Sequence, residues 1–129
     1  MARGRDRVVV RRQALAALGR TLSRRAGSAC ELCGERSGLH PVEVDGSPEP
    51  DPDPEWAILA CESCRDAMAP KARLDVDALR FLETAIWSDV VPAQVAAVRL
   101  SRRVADAGAS WARETLDGLY LDPEVEERI

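Results

Sequence analysis

The sequence predicts a small α+β protein: a β-hairpin clasped by cysteines, with a basic helix before it and a helical layer after it. Three observations predict this. Two Cys-x2-Cys pairs, Cys30/Cys33 and Cys61/Cys64, are separated by 27 residues. Each pair adjoins a short segment of strand character, and beyond residue 74 the apolar spacing is that of helices throughout. The predicted division is a disordered basic tail over 1–7, a basic helix plus the cysteine module over 8–70, and a helical segment over 71–129 packed on it.

From Val8 to Arg25 the pattern predicts a helix with Val8, Leu15, Leu18 and Leu22 near one stripe. Gly19 weakens it, and Arg20, Arg24 and Arg25 suit the negative end of its dipole. Ala26-Gly27-Ser28 ends the helix, and Gly34 after the first cysteine pair gives the backbone freedom a tight knuckle needs. Val42-Glu43-Val44, within Leu39–Asp45, predicts a short alternating strand. The segment Gly46–Glu55 holds four prolines and four acids, which dictates an exposed, extended loop. Trp56–Ala60 predicts the second strand, running into Cys61, and Arg65–Met68 a short helix stopped near Pro70.

Asp75 is placed to cap a helix carrying Leu79, Leu82 and Ile86, with Phe81 and Trp87 beside that face. Pro92 suits the first turn of the next helix, to about Ala107, with Val95, Val98 and Leu100 apolar and Gly108 as its breaker. Ser110 is the expected cap of a third helix bearing Trp111, Leu116 and Leu119, and Asp122-Pro123-Glu124 opens a last turn. Twenty of the 129 residues are alanine and only five are aromatic, so the core gains less than a 46% apolar fraction suggests. A metal staple is one way to supply the difference.

The net charge of −4 hides an asymmetry. Residues 1–29 carry eight arginines against Asp6, a balance of +7, and the other 100 residues carry −11. This split points to an anionic partner, nucleic acid or another polyanion, met through Arg20, Arg24 and Arg25; the competing reading is that the arginines neutralise the protein's own acidic loop or helical layer. No apolar run reaches membrane-spanning length, and the start lacks the apolar segment and cleavage site of a secretory signal. The expected compartment is the cytoplasm, where thiols stay reduced and available for metal.

A two-residue gap lets both thiolates of a pair reach one ion from a tight turn, and two pairs supply the four soft ligands of a closed tetrahedral site. The expected cofactor is therefore one structural Zn2+ on Cys30, Cys33, Cys61 and Cys64. Four cysteines leave the metal no open position for water or substrate, which argues against metal catalysis. His40, the only histidine, reads as a surface or turn residue rather than a nucleophile or acid–base group. Glu49, Asp51, Asp53 and Glu55 read as a solvated run rather than a metal cage. Trp56, Trp87 and Trp111 each lie in an apolar segment and read as core residues rather than a base-stacking platform.

These residues carry a family resemblance. Leu22-Ser23-Arg24-Arg25, Cys30-Glu31-Leu32-Cys33-Gly34, Val42-Glu43-Val44 and Ile58–Cys64 resemble the PhnA-type zinc-ribbon proteins of bacteria, as do Ile86-Trp87-Ser88-Asp89-Val90-Val91-Pro92-Ala93-Gln94-Val95 and Leu116–Asp122. The resemblance spans roughly residues 15–125. It implies a zinc-binding module followed by helices, with no catalytic residue to carry over. The small β-barrel of longer relatives is not expected within these 129 residues. The order of knuckle, hairpin and second knuckle entering a helix also resembles the treble-clef scaffold of HNH nucleases. That activity needs more than one histidine after the first knuckle, so His40 alone implies at most a degenerate nuclease or hydrolase site. The leading expectation is a non-enzymatic zinc-stabilised binding or adaptor module; a third reading is a protein–protein interaction module using the acidic loop and the helical face.

Overall fold

A computed structural model describes residues 2–45, 47 and 51–129, with side chains from Asp6 onward. The first helical stretch is two helices: α1, Ala2–Ala17, and α2, Gly19–Ala26. They are separated at Leu18, whose N–H bonds back only three residues, to the Leu15 carbonyl at 3.0 Å. Residues 2–7, expected as a disordered tail, belong to α1. Alanine and arginine are strong helix formers and no proline interrupts them, so local propensity carries the helix back past Val8. Met1 lies outside the described residues. The expected stripe also needs correction at its start, since Val8 is exposed while Leu15 and Leu18 are half-buried and Leu22 is fully buried. Gly27 ends α2 in the left-handed conformation, φ 63°, returning its N–H to the Ser23 carbonyl.

The sheet is one antiparallel pair, β1, His40–Glu43, and β2, Ala57–Ala60, with His40 opposite Ala60 and Glu43 opposite Ala57. Every residue of β2 is buried, because both faces of the hairpin are covered. Ile58 and Ala60 join the main core, whereas Ala57 and Leu59 pack with Leu22 on the α2 side. That two-sided burial is why the strand reads as an uninterrupted apolar run. Trp56, expected inside this strand, instead closes a 3₁₀ turn, Pro54–Trp56, where Asp53 accepts the Glu55 N–H at 2.8 Å. Of the acidic loop, Gly46 and Pro48, Glu49 and Pro50 lie outside the described residues.

Three short helices and one long one complete the fold: α3, Glu62–Met68; α4, Leu82–Ala85; α6, Ser110–Asp117; and the central α5, Val91–Asp106. A last helix, α7, Pro123–Arg128, lies against α5 through buried Val125. The helix expected from Asp75 forms only at its end. Asp75 accepts the Ala78 N–H at 3.2 Å, but residues 77–81 are turns, and Leu82, Glu83 and Thr84 bond back three residues. Leu79, Leu82 and Ile86 are buried regardless, since tighter turns bring i and i+3 onto one side. Pro92 sits in the first turn of α5 as expected, and Gly108, at φ 103°, follows its end. Ser110 lies inside α6 and Ala109 takes the cap position. Trp87 is 53% exposed, against its expected core placement, whereas Trp56 and Trp111 are half-buried under the guanidinium groups of Arg128 and Arg80.

Candidate metal centre

The first knuckle folds by its own backbone. Cys30 N–H donates to the Glu35 carbonyl at 2.7 Å, and Gly34 N–H donates to the Cys30 carbonyl at 3.0 Å. Gly34 adopts φ 86°, a conformation side chains disfavour, so glycine is what lets the turn close. Glu31 then ties the knuckle to the hairpin: its N–H donates to the Leu59 carbonyl at 2.8 Å, and its carboxylate accepts the Leu59 N–H at 2.9 Å. Leu32 turns into the main core.

Arg25 completes this clasp. Its guanidinium meets the Glu31 carboxylate through two bonds, 2.9 and 2.7 Å, and also donates to the carbonyls of Pro54 at 2.7 Å and Ala57 at 2.8 Å. The Glu31 side chain is only 3% exposed. A buried carboxylate needs such a partner, because leaving its charge unpaired away from water is costly. Arg25 is therefore a fold residue, which departs from its expected place in a polyanion contact. Arg20 and Arg24 are exposed on α2. Arg11 likewise pairs within the molecule, forking Glu43 at 2.7 and 2.9 Å. Glu31 and Glu43 belong to the knuckle and β1, not to the acidic loop or the helical layer expected as the arginines' internal partners.

The second pair is set by a helix start. Cys61 is the residue preceding α3, in extended conformation, and Cys64 falls in its first turn. Arg65 locks this end to the hairpin, donating to the carbonyls of Gly38 at 2.8 Å and Ala60 at 2.6 Å. Knuckle, hairpin and helix start thus converge on one point.

There the sulfurs of Cys30, Cys33, Cys61 and Cys64 all lie within 4.8 Å of one another, and those of Cys33 and Cys61 are 3.6 Å apart. A tetrahedral ion with sulfurs at ~2.3 Å requires sulfur pairs roughly 3.8 Å apart. The four thiols are unbridged, so the set fits a soft four-coordinate metal in both chemistry and spacing. The Cys30 thiol is drawn down to about 4, first by a hydrogen bond with Cys64, then, against the opposing effect of burial, by backbone hydrogen bonds at Cys33, Cys61 and Leu32. Cys64 is pushed up by the same bond to Cys30, and burial raises Cys33 to about 11. One sulfur is thus prepared as the anion a metal takes. Cys33 is the exposed member; the other three are buried.

His40 stands exposed on β1 and takes no part in this cluster. Among the described residues, the four cysteines are the one group of three or more His, Cys, Asp or Glu side chains close enough to hold an ion; Asp51, Asp53 and Glu55 form none, and Glu49 lies outside the described residues. The Arg25–Glu31 pair was missed in the sequence. Its partners are six residues apart across a helix end, a spacing with no local signal. No helix among the described residues is long and apolar enough to cross a membrane. A scan against protein-family models found no match, and searches of curated proteins and of solved structures found none either.

Proposed function

We propose that the chain is a binding module of the PhnA type, built on one structural zinc ion held by Cys30, Cys33, Cys61 and Cys64, and that it works by contact rather than catalysis. The observation that carries this reading is the set of four sulfurs gathered within 4.8 Å of one another. Zinc in such a set supplies folding energy and keeps no position for substrate. The local order of knuckle, antiparallel hairpin and a helix beginning at the second pair favours a treble-clef arrangement over a zinc ribbon, since Cys61 and Cys64 sit at a helix start rather than in a second hairpin. A degenerate nuclease at His40 is disfavoured because no carboxylate or second imidazole gathers with it into an ion-holding group among the described residues. Plasmid nicking and phosphonate hydrolysis by zinc-loaded protein test this reading: it predicts no turnover, and a rate lost in His40→Ala with the fold intact would overturn it.

The polyanion contact belongs to the proposal in a narrower form. Arg20 and Arg24 are four residues apart on α2, both exposed, and so share a face that Arg25 leaves for the interior.

A further inference from the structure

A cleft of about 390 Å³ opens on the side of the hairpin that faces α5, away from the cysteines, none of which lines it. Its volume falls within the range of about 300–1,000 Å³ usual for small-molecule sites. Val42, Val44, Met68, Ala96 and Leu100 supply apolar walls. Arg65, Arg99 and Arg103 reach the same space from α3 and α5, with Arg99 and Arg103 one helical turn apart.

These three arginines are half-buried, unlike their exposed neighbour Arg102. Among the described residues, none of them has a carboxylate at ion-pair distance. Each is instead held by uncharged backbone carbonyls. Arg65 donates to Gly38 and Ala60, Arg99 to Asp45 at 2.9 Å and to Arg128, and Arg103 to Ala67 at 2.9 Å. A guanidinium has five N–H donors, so these contacts fix the side chains in place and leave most donors for another acceptor. Two acids also line the cleft. Glu43 is already paired with Arg11, and Asp45 is exposed at the rim. Three fixed cations facing one uncommitted carboxylate leave an excess of two positive charges beside an apolar wall.

We propose that this cleft binds a small organic phosphate: a doubly charged oxyanion head set against Arg65, Arg99 and Arg103, with a compact apolar body on Val42, Val44, Met68 and Leu100. The head matches the charge excess, and guanidinium forks suit phosphate oxygens. The apolar body accounts for walls that free inorganic phosphate would leave unused. No cysteine lines this site, although Arg65, which adjoins Cys64 on α3, is shared between the cleft and the clasp of the metal centre.

Backbone amide shifts of the full zinc-loaded chain, titrated with phenyl phosphate, test the proposal. Saturable shifts should centre on residues 42–45, 68–69 and 96–103. Phenyl phosphate should bind more tightly than inorganic phosphate or benzoate, and Arg103→Gln should weaken it by about tenfold or more, as loss of a charge-assisted bond implies. Absence of saturation, shifts centred on Arg20 and Arg24, equal binding of inorganic phosphate or benzoate, or a folded Arg103→Gln with unchanged affinity would each overturn the assignment. If Arg103→Gln does not fold, the shift map and the ligand ranking on the unaltered chain decide.

Discussion

Replacing Arg25 with alanine should destabilise the protein far more than replacing Arg20 or Arg24, although all three sit on one short helix. Arg25 makes two bonds to Glu31 and one each to the carbonyls of Pro54 and Ala57. With it gone, the Glu31 carboxylate, 3% exposed, keeps the Leu59 N–H but loses its countercharge. Breaking a buried pair from one side costs about 3–5 kcal/mol. For a chain of this size that corresponds to a fall in Tm on the order of 10 °C. Arg20→Ala and Arg24→Ala, at exposed positions with no such partner among the described residues, should stay within about 0.5 kcal/mol. Urea unfolding of the zinc-loaded variants measures the difference as a shift in midpoint at constant slope. A further variant separates charge from shape: Arg25→Met with Glu31→Leu should recover most of the loss, because removing both charges leaves neither stranded. An Arg25→Ala protein less than about 1 kcal/mol weaker than the parent would refute the claim that this pair anchors the first knuckle to the hairpin.

Further outcomes follow from the same geometry. Cys64→Ser should raise hydrogen exchange across residues 28–68 more than in α5 and α6, and native-like protection throughout the hairpin would make the metal incidental. Because a thiolate ligand must shed its proton to bind metal, protons compete with zinc for the four cysteines, and zinc release to a chromophoric chelator should rise as the pH drops below neutral; release independent of pH contradicts this. Labelled duplex DNA should bind with an affinity that falls linearly in log salt and is lost in Arg20/Arg24→Ala without loss of stability. No binding at low salt would remove the polyanion contact.

Much of the cysteine site could be read from the sequence because each pair of ligands is local: two residues between thiols, a glycine to close the first knuckle, and a helix start at the second. β2 was legible for a related reason, since its apolar run is the signature of a strand covered on both faces. What escaped depends on distant groups. Nothing near Arg25 in sequence announces that Glu31, Pro54 and Ala57 converge on it. Asp75 carries a cap signal and Leu79, Leu82 and Ile86 a helical spacing, yet packing on α5 is met by tighter turns. Trp87 lies in an apolar stretch but follows α4 on the outside, and Val8 extends the stripe yet stays exposed. The arginines of α3 and α5 offered no pattern at all, because Arg65 stands far in sequence from Arg99 and Arg103 and only the fold gathers them.

The central claim is a metal held by four sulfurs, and X-ray absorption at the zinc edge on reduced, purified protein, paired with elemental analysis, tests it most directly. The account predicts about one zinc per chain in a shell of four sulfurs at ~2.3 Å, with no nitrogen or oxygen neighbour. Metal-free protein that keeps its fold, or a shell in which oxygen or His40 nitrogen replaces a sulfur, would contradict it.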